Sequence, residues 1–115
     1  GHEGVVECVR VSPDGQTVCS GGAYRDCTVR LWNGTTGTPS HVMRGHTDWV
    51  NAVAFSADAS LLYSGSGDNS IKEWDVTSGE CLRTLLGHTD DVLSLCLSSN
   101  GQCLYSGSKY DDKIV

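Results

Sequence analysis

Apolar and polar positions along this chain fall in short blocks separated by turn residues, with no helical spacing sustained over about ten residues. The cleanest stretch begins at Val50. Val50 to Phe55 is densely apolar, as a strand buried on both faces should be. Ser56-Ala57-Asp58-Ala59 interrupts it, and Leu61 to Ser66 forms a second block. Gly67-Asp68-Asn69 reads as a hairpin turn, Ser70 to Asp75 as a third strand, and Val76 to Glu80 as a turn into a fourth, Cys81 to Leu85. Similar blocks occur on either side. Ser12-Pro13-Asp14-Gly15 and Ser98-Ser99-Asn100-Gly101 are stronger turn sequences at the place of Ser56 to Ala59. Val92 to Leu97 and Gln102 to Ser108 are two further strands. Sequential short strands joined by tight turns predict an all-β chain of antiparallel meanders.

The blocks recur in register. His46 lies 44 residues after His2, and His88 lies 42 after His46. Counted from each His, Val6 aligns with Val50 and Val92, Ser12 with Ser56 and Ser98, and Ser20-Gly21 with Ser64-Gly65 and Ser106-Gly107. The units open with Gly45-His46 and Gly87-His88 and close with Trp32-Asn33 and Trp74-Asp75. A period of about 40–45 residues bounded by Gly-His and Trp-Asp marks a four-stranded propeller blade. The chain thus resembles the WD-repeat family, of which the G-protein β subunit is the best-known type, over its whole length. The resemblance implies antiparallel four-stranded blades of a partial β-propeller ring. The repeats run over about 1–44, 45–86 and, truncated, 87–115. Fewer than about three repeats bury little, and propellers close with about 4–8 blades. The chain therefore reads as a piece of a ring that needs further blades. The loop at Gly67 varies: Ala23-Tyr24-Arg25 replaces it in the first unit and Lys109-Tyr110 in the third, as on a solvent-facing rim.

Each unit supplies a Ser, a His and an Asp: Ser20, His2 and Asp26; Ser64, His46 and Asp68; Ser106, His88 and Asp111. A hydrolytic triad needs an exposed nucleophile, an oxyanion hole and one cleft. Recurrence in every unit argues instead for a structural role, because an active site is wanted once. In WD-repeat proteins the matching residues form a hydrogen-bond chain with a strand Trp. The resemblance implies Trp74–Ser64–His46–Asp68 and Trp32–Ser20–His2–Asp26 as complete chains, the third lacking its Trp before Val115. Gly65-Ser66-Gly67 has no helix after it and cannot be a phosphate-binding turn. The chain carries no other enzyme signature, and no catalytic residue, metal site or cofactor is assigned.

Charge and cysteines narrow the classes further. The net charge is −6 with scattered Lys and Arg, so no basic stripe exists to neutralise phosphates, and nucleic acid is a poor partner. No apolar run approaches the ~20 residues of a membrane span. The six cysteines, Cys8, Cys19, Cys27, Cys81, Cys96 and Cys103, include no C-x-x-C pair. Most occupy columns that hold Ala, Leu or Ser elsewhere. They read as reduced, mostly buried small hydrophobes of an intracellular protein, cytoplasmic or nuclear. Asn33-Gly34-Thr35 is formally a glycosylation acceptor but reads as a tight turn.

What remains is a binding platform. By resemblance, the loop before the first strand and the loop between the second and third share the narrower face. Trp49 stands there where the other units have Val5 and Asp91. It is either a partner anchor or packed on the neighbouring blade's loop. Tyr24, Arg25, Lys109 and Tyr110 combine aromatic bodies with cationic ends, and Asp48, Asp90 and Asp91 add negative charge that favours partners with Arg or Lys. Glu73 departs from the pattern, because its column holds Leu31. A carboxylate at a packed position needs a cation or water; a tolerated edge exposure is the favoured expectation over a widened seam or a contact to another domain. The leading function is a non-catalytic protein-interaction scaffold or adaptor binding proteins or peptides. The alternative is a regulatory or targeting propeller joined to a kinase or ubiquitin ligase outside this segment.

Overall fold

A computed structural model describes residues 4–23, 26–86, 92–97, 104–108 and 112–114. The chain is all-β among these residues, arranged as two four-stranded antiparallel sheets and one three-stranded sheet. The first holds β1 (Val6–Val11), β2 (Thr17–Gly22), β3 (Val29–Asn33) and β4 (Pro39–Met43) in chain order. The second repeats that order with β5 (Val50–Phe55), β6 (Leu61–Ser66), β7 (Ser70–Asp75) and β8 (Cys81–Leu86). The third joins β9 (Val92–Leu97), β10 (Leu104–Ser108) and β11 (Asp112–Ile114). The fourth strand of the second blade runs one residue beyond the expected Leu85, because Leu86 still pairs with Ser70. The three sheets do not close a ring.

Local geometry repeats with the sequence. In every blade the first strand carries a bulge at its start, between Val6 and Cys8, between Val50 and Ala52, and opposite Gly107 and Ser108. Such a bulge bends the strand and raises its twist, which suits an innermost blade strand. The first turn of each complete blade is built alike. Asp14 Oδ1 accepts from Ser12 Oγ at 2.5 Å and from Gln16 N at 3.0 Å. Asp58 Oδ1 accepts from Ser56 Oγ at 2.8 Å and Ser60 N at 3.0 Å, and its carboxyl falls to about 2 under these bonds, the Ser60 hydroxyl first. The turns differ in one respect. Gly15 sits at φ +72°, and in its column Ala59 takes φ +61°, a left-handed conformation that strains a residue with a Cβ.

The core lies in the seams between blades. In the first seam, Cys19, Val29, Leu31 and Met43 of blade 1 pack against Val50, Val53, Leu62 and Trp74 of blade 2. In the second, Ile71 of blade 2, with Ala52, Ala54, Tyr63 and Leu85, packs against Val92, Leu95 and Leu97. Each blade thus has a giving face and a receiving face, and equivalent columns do equivalent jobs. The recurrent Ser-Gly pair sets the closeness of approach: a Cβ added at Gly21 would stand 2.6 Å from Val50 Cγ1, and one at Gly65 2.5 Å from Val92 Cγ1.

Two expectations are corrected here. Glu73 is not at an exposed edge. It is 6% exposed and held by Arg83, whose Nη2 donates to Oε2 at 2.7 Å and Nε to Oε1 at 3.3 Å, while hydrogen bonds from Arg83 and Tyr63 keep its carboxyl below the usual range. The two-point guanidinium grip satisfies the carboxylate at a position that is apolar in blade 1. The cysteines are not mostly buried either. Cys19 is buried, Cys8 and Cys27 are half-buried, Cys81 and Cys96 are exposed, and Cys103 lies outside the described residues. The exposed pair lies on β8, at the edge of its sheet, and on β9. Cys8, Cys19, Cys81 and Cys96 are free thiols.

Candidate functional site

Polar side chains converge where the blade entry segment meets the inner hairpin. In blade 2, Trp74 Nε1–H donates to Ser64 Oγ at 2.7 Å, Ser64 Oγ lies 2.7 Å from His46 Nε2, and His46 Nδ1 lies 2.8 Å from Asp68 Oδ2. Directions follow from chemistry. The indole only donates and the carboxylate only accepts, so Ser64 donates to Nε2 and the imidazole is the neutral Nδ1–H tautomer. Asp68 also accepts from Thr47 N at 3.1 Å, Ser70 N at 2.9 Å and Ser70 Oγ at 2.5 Å. Ser64, His46 and Trp74 are buried, and the His46 ring meets Trp74 edge-on with centroids 6.3 Å apart.

Electrostatics agree with that arrangement. Burial lowers the His46 pKa below its ordinary value against the opposing pull of Asp68, which keeps the ring neutral. Burial would raise the Asp68 carboxyl, but hydrogen bonds from Ser70 and His46 outweigh it and hold it at about 2. A Ser, a His and an Asp are therefore lined up, yet the hydroxyl is wholly enclosed and its oxygen is occupied by the indole N–H. A nucleophile needs access to a substrate carbonyl, and this one has none.

Blade 1 repeats part of the chain. Trp32 Nε1–H donates to Ser20 Oγ at 3.1 Å. Asp26 is buried, accepting from Thr28 N at 3.2 Å and from the Thr28 hydroxyl, with Arg30 Nη2 3.9 Å away. His2 lies outside the described residues, as do His88 and Asp111 of the third unit, where Ser106 is buried.

Of the rim candidates, the structure places Asp48 and Trp49; Tyr24, Arg25, Asp91, Lys109 and Tyr110 lie outside the described residues. The entry loop is stitched to the inner hairpin. Ser66 Oγ donates to Asp48 O at 3.1 Å, Gly67 N to Trp49 O at 2.9 Å, and Asp48 Oδ1 accepts from Trp49 N at 2.7 Å. A Cβ at Gly67 would stand 3.0 Å from Asp48 Cγ, a close contact that the exposed Asp48 side chain would have to relieve. Asp48 is exposed and Trp49 half-buried. Cys27, from the equivalent hairpin of blade 1, reports the local field: partial burial and then the charges of Asp48, Asp26 and Asp68 push its thiol up. Of these three carboxylates Asp26 is buried beside Arg30, Asp68 is half-buried, and only Asp48 is exposed on the rim.

Sequence reasoning missed the Glu73–Arg83 pair and the inter-blade bonds from Asn51 Nδ2 to Val92 O at 3.0 Å and from His41 Nε2 to Thr77 O at 2.9 Å. The only signal for the first was Arg83 itself, placed opposite Glu73 once β7 and β8 are in register. Among the described residues, no three His, Cys, Asp or Glu side chains are grouped to hold a metal ion, and no helix is long and apolar enough to cross a membrane.

Comparison with known proteins completes the picture. The family model described as WD domain, G-beta repeat matches residues 1–33, 37–75 and 79–115. The chain is 43% identical over 72 residues to small ribosomal subunit protein RACK1y of Oryza sativa subsp. japonica, covering 61% of this chain and 21% of that protein. It is 40% identical over 74 residues to nuclear distribution protein PAC1 of Coccidioides posadasii, covering 59% and 16%. It is 41% identical over 64 residues to WD repeat and SOCS box-containing protein 1 of Homo sapiens, covering 55% and 15%. The chain thus spans about a fifth or less of the length of these relatives.

Proposed function

This chain belongs to the WD-repeat family, and on that premise we propose that it is part of a non-catalytic scaffold that binds other proteins through its loop-lined rim. A fold shared by many functions does not choose one, so the argument rests on the site. The observation that carries it is the pinned Thr47–Trp49 loop, tied to Asp68 and Ser66, which presents an exposed carboxylate at Asp48. Such a rim is preorganised, which lowers the ordering cost of binding, and its sign favours partners bearing Arg or Lys. Trp49 is the aromatic anchor at the margin of this surface. The polar chain is read as a staple that holds the rim loop to the hairpin, not as a catalytic group. The free thiols of Cys8, Cys19, Cys81 and Cys96 among the described residues support an intracellular setting, cytoplasmic or nuclear.

A peptide-display screen with the protein in its natural length tests the reading. Enriched peptides should be rich in Arg and Lys, and Asp48→Lys and Trp49→Ala should each abolish enrichment while leaving the unfolding midpoint in place. Enrichment of acidic or uncharged peptides, or binding indifferent to both substitutions, would refute the rim as the partner surface. A second reading, a targeting propeller joined to a functional module elsewhere in the protein, draws support from one relative whose name couples WD repeats to a SOCS box.

A further inference from the structure

Asn33-Gly34 occupies the turn between β3 and β4, where blade 2 carries Asp75-Val76. The two turns are bonded alike. Asn33 Oδ1 accepts from Thr35 N at 2.9 Å and Thr36 N at 3.0 Å, and Asp75 Oδ1 from Thr77 N at 2.8 Å and Ser78 N at 3.1 Å. Gly37 N donates to Asn33 O and Gly79 N to Asp75 O, both at 2.8 Å. The chemistry differs, because an asparagine followed by a glycine is the side chain most open to attack by its own backbone. Glycine offers no Cβ to hinder the approach of its nitrogen. Here Gly34 is fixed by packing: a Cβ would stand 2.6 Å from Gly15 O, a backbone atom that has no freedom to yield.

We propose that Asn33 is a spontaneous modification site of this protein, silent while the turn is closed and reactive when the outer face of blade 1 opens. In the reaction the Gly34 backbone nitrogen loses its proton to water and attacks Asn33 Cγ. The new C–N bond closes a five-membered succinimide, and the side-chain nitrogen leaves as ammonia. Water then opens the ring at one of its two carbonyls, giving aspartate or isoaspartate; one water is consumed and one ammonia released in all. In the folded turn the nucleophile is engaged, since Gly34 N donates to Gln16 O at 2.7 Å, and the Asn33 side chain is held in one orientation by the Thr35 and Thr36 amides. Asn33, Gly34 and Gly37 also border the hollow of about 500 Å³ formed with Val6, Val9, Val18 and Trp32 on the outer face of the blade. A neighbouring blade on that face would hold the turn shut.

The two products part in consequence. Aspartate reproduces the carboxylate that Asp75 already uses in blade 2, so it fits. Isoaspartate inserts one backbone carbon at the end of β3 and breaks the bond from Asn33 N to Thr38 O, 2.8 Å long in the intact turn. The test is peptide mapping of the protein in its natural length after incubation at neutral pH, native and in denaturant, with isoaspartate content read at Asn33. Conversion in denaturant should exceed that in the native protein by at least about tenfold, the protection expected of a closed turn. Asn33→Asp should unfold at an unchanged midpoint. Equal rates in the two states, no conversion of the unfolded chain at Asn33, or a lowered midpoint for Asn33→Asp would each overturn the proposal.

Discussion

The receiving faces of blades 1 and 2 are built from the same columns and meet different fates. In blade 2, Val50, Val53, Leu62 and Trp74 are enclosed by blade 1; Val53 and Trp74 are each 2% exposed. In blade 1 the equivalent Val6, Val9, Val18 and Trp32 line an open apolar hollow, with Val9 54% exposed. Residue type and strand geometry are matched, so burial here is set by the neighbour and not by the residue. In a repeat architecture, stability is a sum of unit and nearest-neighbour terms, and a face without a neighbour contributes little. A contiguous apolar patch of this kind marks an interface. The face of blade 1 therefore belongs against a giving face like that of Cys19, Leu31 and Met43.

The largest effect that sharpens this comparison comes from the tryptophans. In the protein at its natural length, Trp74→Ala should cost about 3–5 kcal/mol in urea unfolding, the range for an aromatic lost from a core. If a further blade covers blade 1, Trp32→Ala should cost nearly as much there. A cost for Trp32→Ala under about half that of Trp74→Ala would mean that the blade 1 face stays open in the whole protein.

The polar chain ranks next. His46→Ala or Asp68→Ala should each destabilise by about 1–3 kcal/mol, since each strands buried partners. The chain also predicts a pH dependence. His46 has a folded pKa below its ordinary 6.5, so below pH 6.5 the unfolded chain takes up a proton that the folded one resists. Its contribution is full above pH 6.5 and declines as pH falls through the folded value. Asp68 sits at about 2 against an ordinary 3.8, so its contribution is lost between those two values. Urea unfolding across this range should show the wild type losing stability below pH 6.5 and His46→Ala losing less. Parallel curves would detach the histidine from the account.

The smallest expected effect concerns the first turns. Ala59 holds the left-handed conformation that Gly15 adopts freely in blade 1. Ala59→Gly should stabilise by roughly 0.5–1 kcal/mol, with relief of strain exceeding the added chain entropy. A loss of stability in thermal unfolding would show that the strain at Ala59 is not real.

Most of this architecture was legible in the sequence because three copies of one pattern report on each other. Strands and turns follow from the blocks around Val50 to Leu85, and the Ser, His, Asp and Trp columns from recurrence. What was not legible depends on contacts across strands and blades. Glu73 looked misplaced because its partner, Arg83, becomes a neighbour only through the β7–β8 register. Cys96 looked buried by analogy with Ala54, yet it stands exposed on β9. The Ser-Gly recurrence was visible, but its purpose, letting Val50 and Val92 approach Gly21 and Gly65, exists only between sheets.

Sedimentation of the isolated 115-residue chain at micromolar concentration tests the central claim most directly, because it asks whether the blade 1 face tolerates water. The account predicts self-association or aggregation, relieved in part by Val9→Asp on the open face and absent once the neighbouring blades are supplied. A monodisperse monomer that unfolds cooperatively would contradict it, and would show that the open face of blade 1 needs no neighbour.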